Sequence, residues 1–192
     1  LTASYLCKNI MGARFAFVQS DEISILLTDF EDIGTQSWFN NNLQKMCSVS
    51  ASQATRAFNE ARLLRIGSPN VKFAEFDSRV FQIPQKSEVE NYFIWRSRDC
   101  VRNSITSAAQ SVYSHKELER KTTNDMQEML FRKNINWSKY PEGYKNGRLI
   151  IKETYEKEAD KDTIFAISST RTRWVSVPFL KEKMQKLIPN NI

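Results

Sequence analysis

Apolar and polar positions alternate in two distinct rhythms along this chain. Arg14 to Thr28 reads RFAFVQSDEISILLT. Two short apolar runs, Phe15–Val18 and Ile23–Leu27, flank the polar turn Gln19-Ser20-Asp21-Glu22. Such a pattern predicts a strand, a tight turn and a second strand. Consecutive strand side chains point to opposite faces, so one of the two turn carboxylates can face a site while its neighbour faces the packed side. The plain alternative is a solvated Asp-Glu turn.

Helical rhythm dominates elsewhere. Residues 1–11 read as the end of a helix stopped by Gly12. Residues 29–36 read as a loop. From Gln36 to Ala61 the positions Phe39, Leu43, Met46, Cys47, Ser50, Ala54, Ala57, Phe58 and Ala61 recur at helical spacing and predict one long amphipathic helix. Lys45 lies on a different face, as a solvated group or a phosphate ligand. Gly67 to Asn70 reads as a turn, and Val71–Pro84 (VKFAEFDSRVFQIP) as a strand closed by its proline. Glu88 to Tyr113 predicts a second long helix. On it Arg96, Asp99, Arg102 and Asn103 recur at spacings of three and four and so share one face. That face is either a solvated ion-pair ladder or, beside Trp95, a partly buried polar seam. A short helix over 124–133 and an aromatic, basic loop over 134–147 follow. Strands are expected at Arg148–Tyr155, Thr163–Ser168 and Thr172–Val177, with a charged connection at Lys157–Asp162. A last helix is expected at Phe179–Leu187.

Composition narrows the class. The 192 residues are 41% hydrophobic and 26% charged, enough for a packed core. No apolar run of about 18 residues is present, so nothing predicts a membrane-spanning helix. Cys7, Cys47 and Cys100 lie far apart, which argues against a disulfide framework or a zinc site and fits a cytoplasmic protein. The net charge is +6, and it is uneven. Residues 1–95 carry 9 Lys and Arg against 10 Asp and Glu, whereas residues 96–192 carry 19 against 12. A basic second half points to a polyanionic partner such as nucleic acid. His115 is the one histidine; it and Lys116 fit an RNA contact better than a metal site. No Walker loop, Rossmann glycine pattern or internal repeat occurs.

Five stretches in order carry a resemblance: QSDEIS (Gln19–Ser24), FDSRVFQIP (Phe76–Pro84), NYFIWRSRDCVRNSI (Asn91–Ile105), SHKEL (Ser114–Leu118) and MQEML (Met126–Leu130). Together they resemble the tRNA-His guanylyltransferase family, in its bacterial and phage-type branch of 3′–5′ polymerase-like proteins. The resemblance implies an α+β, polymerase-palm-like antiparallel sheet packed by long helices. A palm-like catalytic domain is expected over 1–113, and a C-terminal extension used in tRNA binding and assembly over 114–192. The implied activity is templated addition of GTP, or another nucleoside triphosphate, to the 5′ end of tRNA. ATP activates the 5′-phosphate, and two magnesium ions assist.

By the same resemblance Asp21 is a metal ligand and catalytic, with Glu22 its acidic neighbour, and Ser20 and Lys45 bind the nucleotide triphosphate. Arg96, Asp99, Arg102 and Asn103 position the tRNA 5′ end, and His115 and Lys116 are further RNA contacts. A homotetramer is implied. Two departures matter. The family's D-G-x-x-F-H strand, which brings another metal-binding aspartate, is absent from these residues and is expected upstream of Leu1; without it the polypeptide is expected to be inactive. The eukaryotic enzymes carry His-Ile-Asn-Asn where this chain has Arg102-Asn103-Ser104-Ile105, which favours 5′-end repair over strict tRNA-His recognition. Two other readings stay open: an RNA-binding relative that has lost catalysis, and a palm-type nucleotide cyclase.

Overall fold

The computed structural model describes residues 1–67, 72–157 and 169–190. The Gly67–Asn70 turn, the start of the Val71–Pro84 strand, most of the Lys157–Asp162 connection and the Thr163–Ser168 strand therefore fall outside the described residues. The elements are α1 (Thr2–Asn9), β1 (Ala13–Gln19), β2 (Glu22–Leu27), α2 (Leu43–Ile66), α3 (Lys86–Gln110), α4 (His115–Leu118), α5 (Thr123–Arg132), α6 (Glu142–Lys145), β3 (Arg148–Lys157), β4 (Ser169–Pro178) and α7 (Lys181–Leu187). The strands form one antiparallel sheet in the order β2-β1-β3-β4. The α+β class expected from sequence is observed. The two inner strands are buried at consecutive positions: Phe15, Ala16 and Phe17 on β1, and Leu149, Ile150 and Ile151 on β3. Unbroken burial of that kind means both faces of the strand are covered, which is why these runs do not alternate.

The chain forms two compact units. The first comprises Leu1–Ala16, Ser24–Gln82 and Ile150–Ser176. Within it α2 differs from the expected helix. It begins at Leu43, not Gln36, capped by Asn42, whose side-chain oxygen accepts from the Lys45 amide at 3.1 Å. The residues before it make a 3-10 turn in which Phe39, Asn40 and Asn41 have positive φ, a conformation that breaks an α-helix. Leu43 is consequently exposed, while Met46, Ala54 and Ala57 are buried.

The expected strand at Val71–Pro84 does not form over the described residues 72–84. Its backbone groups bond to α2 side chains instead of to a neighbouring strand. The Asn59 amide donates to Ala74 O (2.8 Å) and accepts from Ala74 N (2.9 Å). Thr55 Oγ1 accepts from Phe76 N at 3.1 Å, and Arg62 donates to Lys72 O at 2.7 Å. Buried backbone groups must be paired, and here a helix supplies the partners.

The second unit comprises Phe17–Ile23, Ile83–Leu149 and Val177–Ile192. Its spine is α3, which buries Val89, Phe93, Cys100, Ile105, Ala108 and Ala109. The C-terminal half of α3 shares a core with Leu118 of α4 and with Met126 and Leu130 of α5. Both short helices begin with reciprocal capping boxes, Ser114 with Glu117 and Thr122 with Asp125. Gly147 sits at φ 86°, and a Cβ there would lie 2.3 Å from the Phe17 ring. Only glycine fits both constraints. Phe17 in turn packs edge-on against Phe179, with centroids 5.4 Å apart.

Candidate active site

The functional residues of the second unit gather where the β1–β2 turn meets α3. Two residues, Ser20 and Asp21, connect the strands, with Ser20 at φ 46°. Left-handed backbone at a non-glycine residue is strained by roughly 1 kcal/mol and must be held by its surroundings. The holding group is a cluster of side chains from both sides of the turn. Arg96, 8% exposed, forms an ion pair with Glu22 and sits 3.6 Å from Asp99 Oδ2. Gln19, 4% exposed, donates its side-chain amide to Glu22 Oε2 at 2.7 Å and to Asp99 Oδ2 at 3.2 Å. Arg102 pairs with the other oxygen of Asp99, and Asn103 donates to Asp99 Oδ2 at 3.3 Å.

The result is a clasp of two carboxylates, two guanidinium groups and two amides. Each buried carboxylate faces donors, as burial of charge requires. The polar face anticipated on α3 is therefore real, and it is a buried seam at Arg96 and Asp99 that opens to solvent at Arg102. Trp95, whose presence favoured the seam, is itself 56% exposed and carries the Arg96 guanidinium over its ring at 4.7 Å.

The turn carboxylates take opposite roles, as strand alternation predicts. Glu22 is tied back to α3, while Asp21 is exposed and has no hydrogen bond or ion pair among the described residues. Ser20 is exposed beside it. Lys45 belongs to the first unit, exposed in the first turn of α2 with its ammonium 6.0 Å from the Phe39 ring centroid. His115 and Lys116 are exposed on α4, and none of the clasp's bonds reaches them. Among the described residues no group of three or more His, Cys, Asp or Glu is placed to hold a metal ion.

A cavity of about 320 Å3 adjoins the turn, lined within the same unit by β1, α3, α6 and the start of β3. Cys100 in its wall is buried, and that burial, followed by the neighbouring Asp99 charge, raises the thiol pKa. The wall is thus a neutral thiol rather than a thiolate. Gln19, Tyr144 and Arg148 also line it, and sequence reasoning had assigned no role to Gln19 or Arg148. The adjacency of Gln19 to the Ser-Asp-Glu turn was the available signal for the first; Arg148 offered none.

Comparison with known proteins follows the same lines. Residues 1–84 match the family described as tRNAHis guanylyltransferase. An uncharacterized protein of Acanthamoeba polyphaga mimivirus is 28% identical over 182 residues, which span 83% of this chain and 62% of that protein. The solved structure of a bacterial tRNA(His) guanylyltransferase-like protein in complex with ATP is 42% identical with a TM-score of 0.83, covering 99% of this chain and 77% of that one. A bacterial protein of the same description in complex with GTP is 40% identical with a TM-score of 0.75, covering 97% and 74%. With identity at that level across nearly its whole length, the chain belongs to the tRNA-His guanylyltransferase family, a family of nucleotidyltransferases.

Proposed function

We propose that this chain is a template-dependent 3′–5′ nucleotidyltransferase that adds GTP, or another nucleoside triphosphate, to the 5′ end of tRNA. The observation that carries the reading is the clasped turn: Glu22 locked to Arg96 while the adjacent Asp21 stands open. The ATP and GTP complexes of the bacterial relatives support nucleotides as its substrates.

In this reading a 5′-monophosphate end attacks ATP, forming an adenylylated end and releasing pyrophosphate. The 3′-hydroxyl of GTP then attacks the 5′-phosphate of that end, and AMP leaves. A triphosphorylated end enters directly at the second step and loses pyrophosphate. The chain's contribution is positional and electrostatic, as phosphoryl-type transfer demands. Ser20 offers a hydroxyl donor, and Lys45 a point charge, to the triphosphate. Arg96, Asp99 and Gln19 hold the turn that aims Asp21. Arg102, exposed beyond the seam, is available to RNA phosphate, with Asn103, His115 and Lys116 as further contacts.

Magnesium is the ion the family resemblance implies. The described residues do not complete a two-ion site: Glu22 and Asp99 are both engaged, and only Asp21 of the turn is open. Asp21 is proposed as one ligand, and a bound ion would neutralise developing charge on phosphate oxygen. A homotetramer is the assembly proposed with it.

The incomplete acidic set favours a second reading, an RNA-binding relative without catalysis. A 5′-extension assay separates them, using tRNA lacking its first nucleotide with ATP, GTP and magnesium, for the parent and Asp21→Ala. Templated extension by the parent alone supports the enzyme. Equal tRNA binding with no extension by either leaves the binder.

A further inference from the structure

The cavity beside the turn has features that the turn does not require. Arg148 is the one charged residue in its lining, and no carboxylate lines it. Among the described residues Arg148 has no ion pair, whereas neighbouring Lys145 is engaged by Glu142 and by Ser138 O. Its guanidinium lies against Gly143: a Cβ there would sit 2.8 Å from Arg148 Cζ and 2.9 Å from Nε. Gly143 does not have a positive φ, so its backbone conformation does not call for glycine. The missing side chain makes room for the guanidinium.

A second observation points the same way. Gln19 lines the cavity, and its carbonyl Oε1 is buried without a hydrogen-bond partner. The amide cannot be turned round to relieve this, since its NH2 serves two carboxylates. A buried unpaired acceptor is costly and marks a place for a donor. Ser20, Ser107 and Asn103 add hydroxyl and amide groups, and Tyr144, 56% exposed, adds an aromatic face.

We propose that this cavity seats a 5′-phosphorylated terminal nucleotide, with Arg148 on the phosphate, Tyr144 against the base and Gln19 Oε1 accepting from a ligand N–H or O–H. A guanidinium matches phosphate oxygens in charge and geometry, and aromatic faces stack bases without regard to sequence. The volume suits one nucleotide. The RNA end as its source rests on the proposed function; a free mononucleotide presents the same chemistry.

The test is equilibrium binding to the full chain, which needs no catalysis. Fluorescence anisotropy compares a short RNA hairpin carrying a 5′-phosphate with its 5′-hydroxyl form, and GMP with guanosine as competitors. The parent should prefer the phosphorylated RNA by about tenfold. Arg148→Ala should abolish that preference. Gly143→Ala, which keeps the charge but displaces the guanidinium, should reduce it nearly as far, while Arg148→Lys retains part of it. Since Arg148 is exposed, unchanged urea midpoints should show that folding is intact. A preference that survives in both Arg148→Ala and Gly143→Ala overturns the site. If only GMP competition depends on Arg148, the site stands with the free mononucleotide as its source and the RNA-end assignment falls. Phosphate preference lost in the variants with no extension by the parent would keep the site and sink the enzyme; extension with no Arg148 dependence would do the reverse.

Discussion

Removing Arg96 should uncouple the hairpin from α3 at a cost that the geometry sets. In Arg96→Ala the Glu22 carboxylate loses its ion pair, and Asp99, whose side chain is only 14% exposed, loses one of its two guanidinium neighbours. Breaking a buried pair by deleting one partner typically costs about 3–5 kcal/mol. Two facts pull the figure down here: Glu22 is 55% exposed and can be rehydrated, and Asp99 keeps Arg102, Gln19 and Asn103. The expected loss is about 2–3 kcal/mol, which for a chain this size lowers Tm by roughly 5–10 °C. Urea unfolding of the parent, Glu22→Ala, Arg96→Ala and the double variant closes a thermodynamic cycle. The pair should show a coupling of about 1–2 kcal/mol, well beyond the few tenths of an exposed ion pair. Raised salt should barely change it, because Arg96 is shielded from solvent. A coupling indistinguishable from zero would refute the clasp as a mechanical link, whatever Arg96 does for substrate.

Three further outcomes are expected. Asn59→Ala strands the Ala74 N–H and C=O at once and should cost about 1–3 kcal/mol, with faster hydrogen exchange at the Ala74 amide as the local signature. Cys7, buried on α1 with its thiol pKa pushed up to about 12 by desolvation, should resist alkylation in the native state long after the half-buried Cys47 has reacted, as peptide mass spectrometry would show. Glu117 and Asp125 have folded pKa values lowered by hydrogen bonds from Ser114 and Thr122. Their capping contribution is therefore complete above the ordinary carboxylate value and is lost as pH falls through the lower folded one. Ser114→Ala with Thr122→Ala should flatten the acid limb of a stability-versus-pH curve and leave its neutral plateau shape unchanged.

Legibility in the sequence followed the range of the interaction. The β1–β2 hairpin and α3 were readable because alternation and helical spacing are local signals, and so was the shared face of Arg96, Asp99 and Arg102. The partner of Glu22 was not readable, because the clasp joins residues some 80 positions apart, as in the Gln19–Asp99 hydrogen bond. No periodicity encodes that distance. Residues 72–84 misled because strand-forming composition says nothing about where backbone hydrogen bonds end. On α2, Thr55 and Asn59 read as polar surface, yet they serve as that segment's partners. The early break before α2 did leave a trace: Asn40 and Asn41 are residues that tolerate left-handed backbone. Arg148 and Gly143 have meaning only as a contact, so neither stood out alone.

The pairing of residues 72–84 with α2 side chains also bears on how this protein fails. The segment combines Phe73, Phe76, Val80 and Phe81 in a stretch that would readily join a cross-β stack. Phe73 and Phe81 are exposed in the native fold, so apolar contact alone does not protect it. Its safeguard is that Asn59, Thr55 and Arg62 occupy backbone donors and acceptors that an incoming strand would need. Those three side chains act as gatekeepers: if the C-terminal half of α2 frays, the segment becomes a sticky edge, and the soluble protein is lost to fibrils before its sheet has melted.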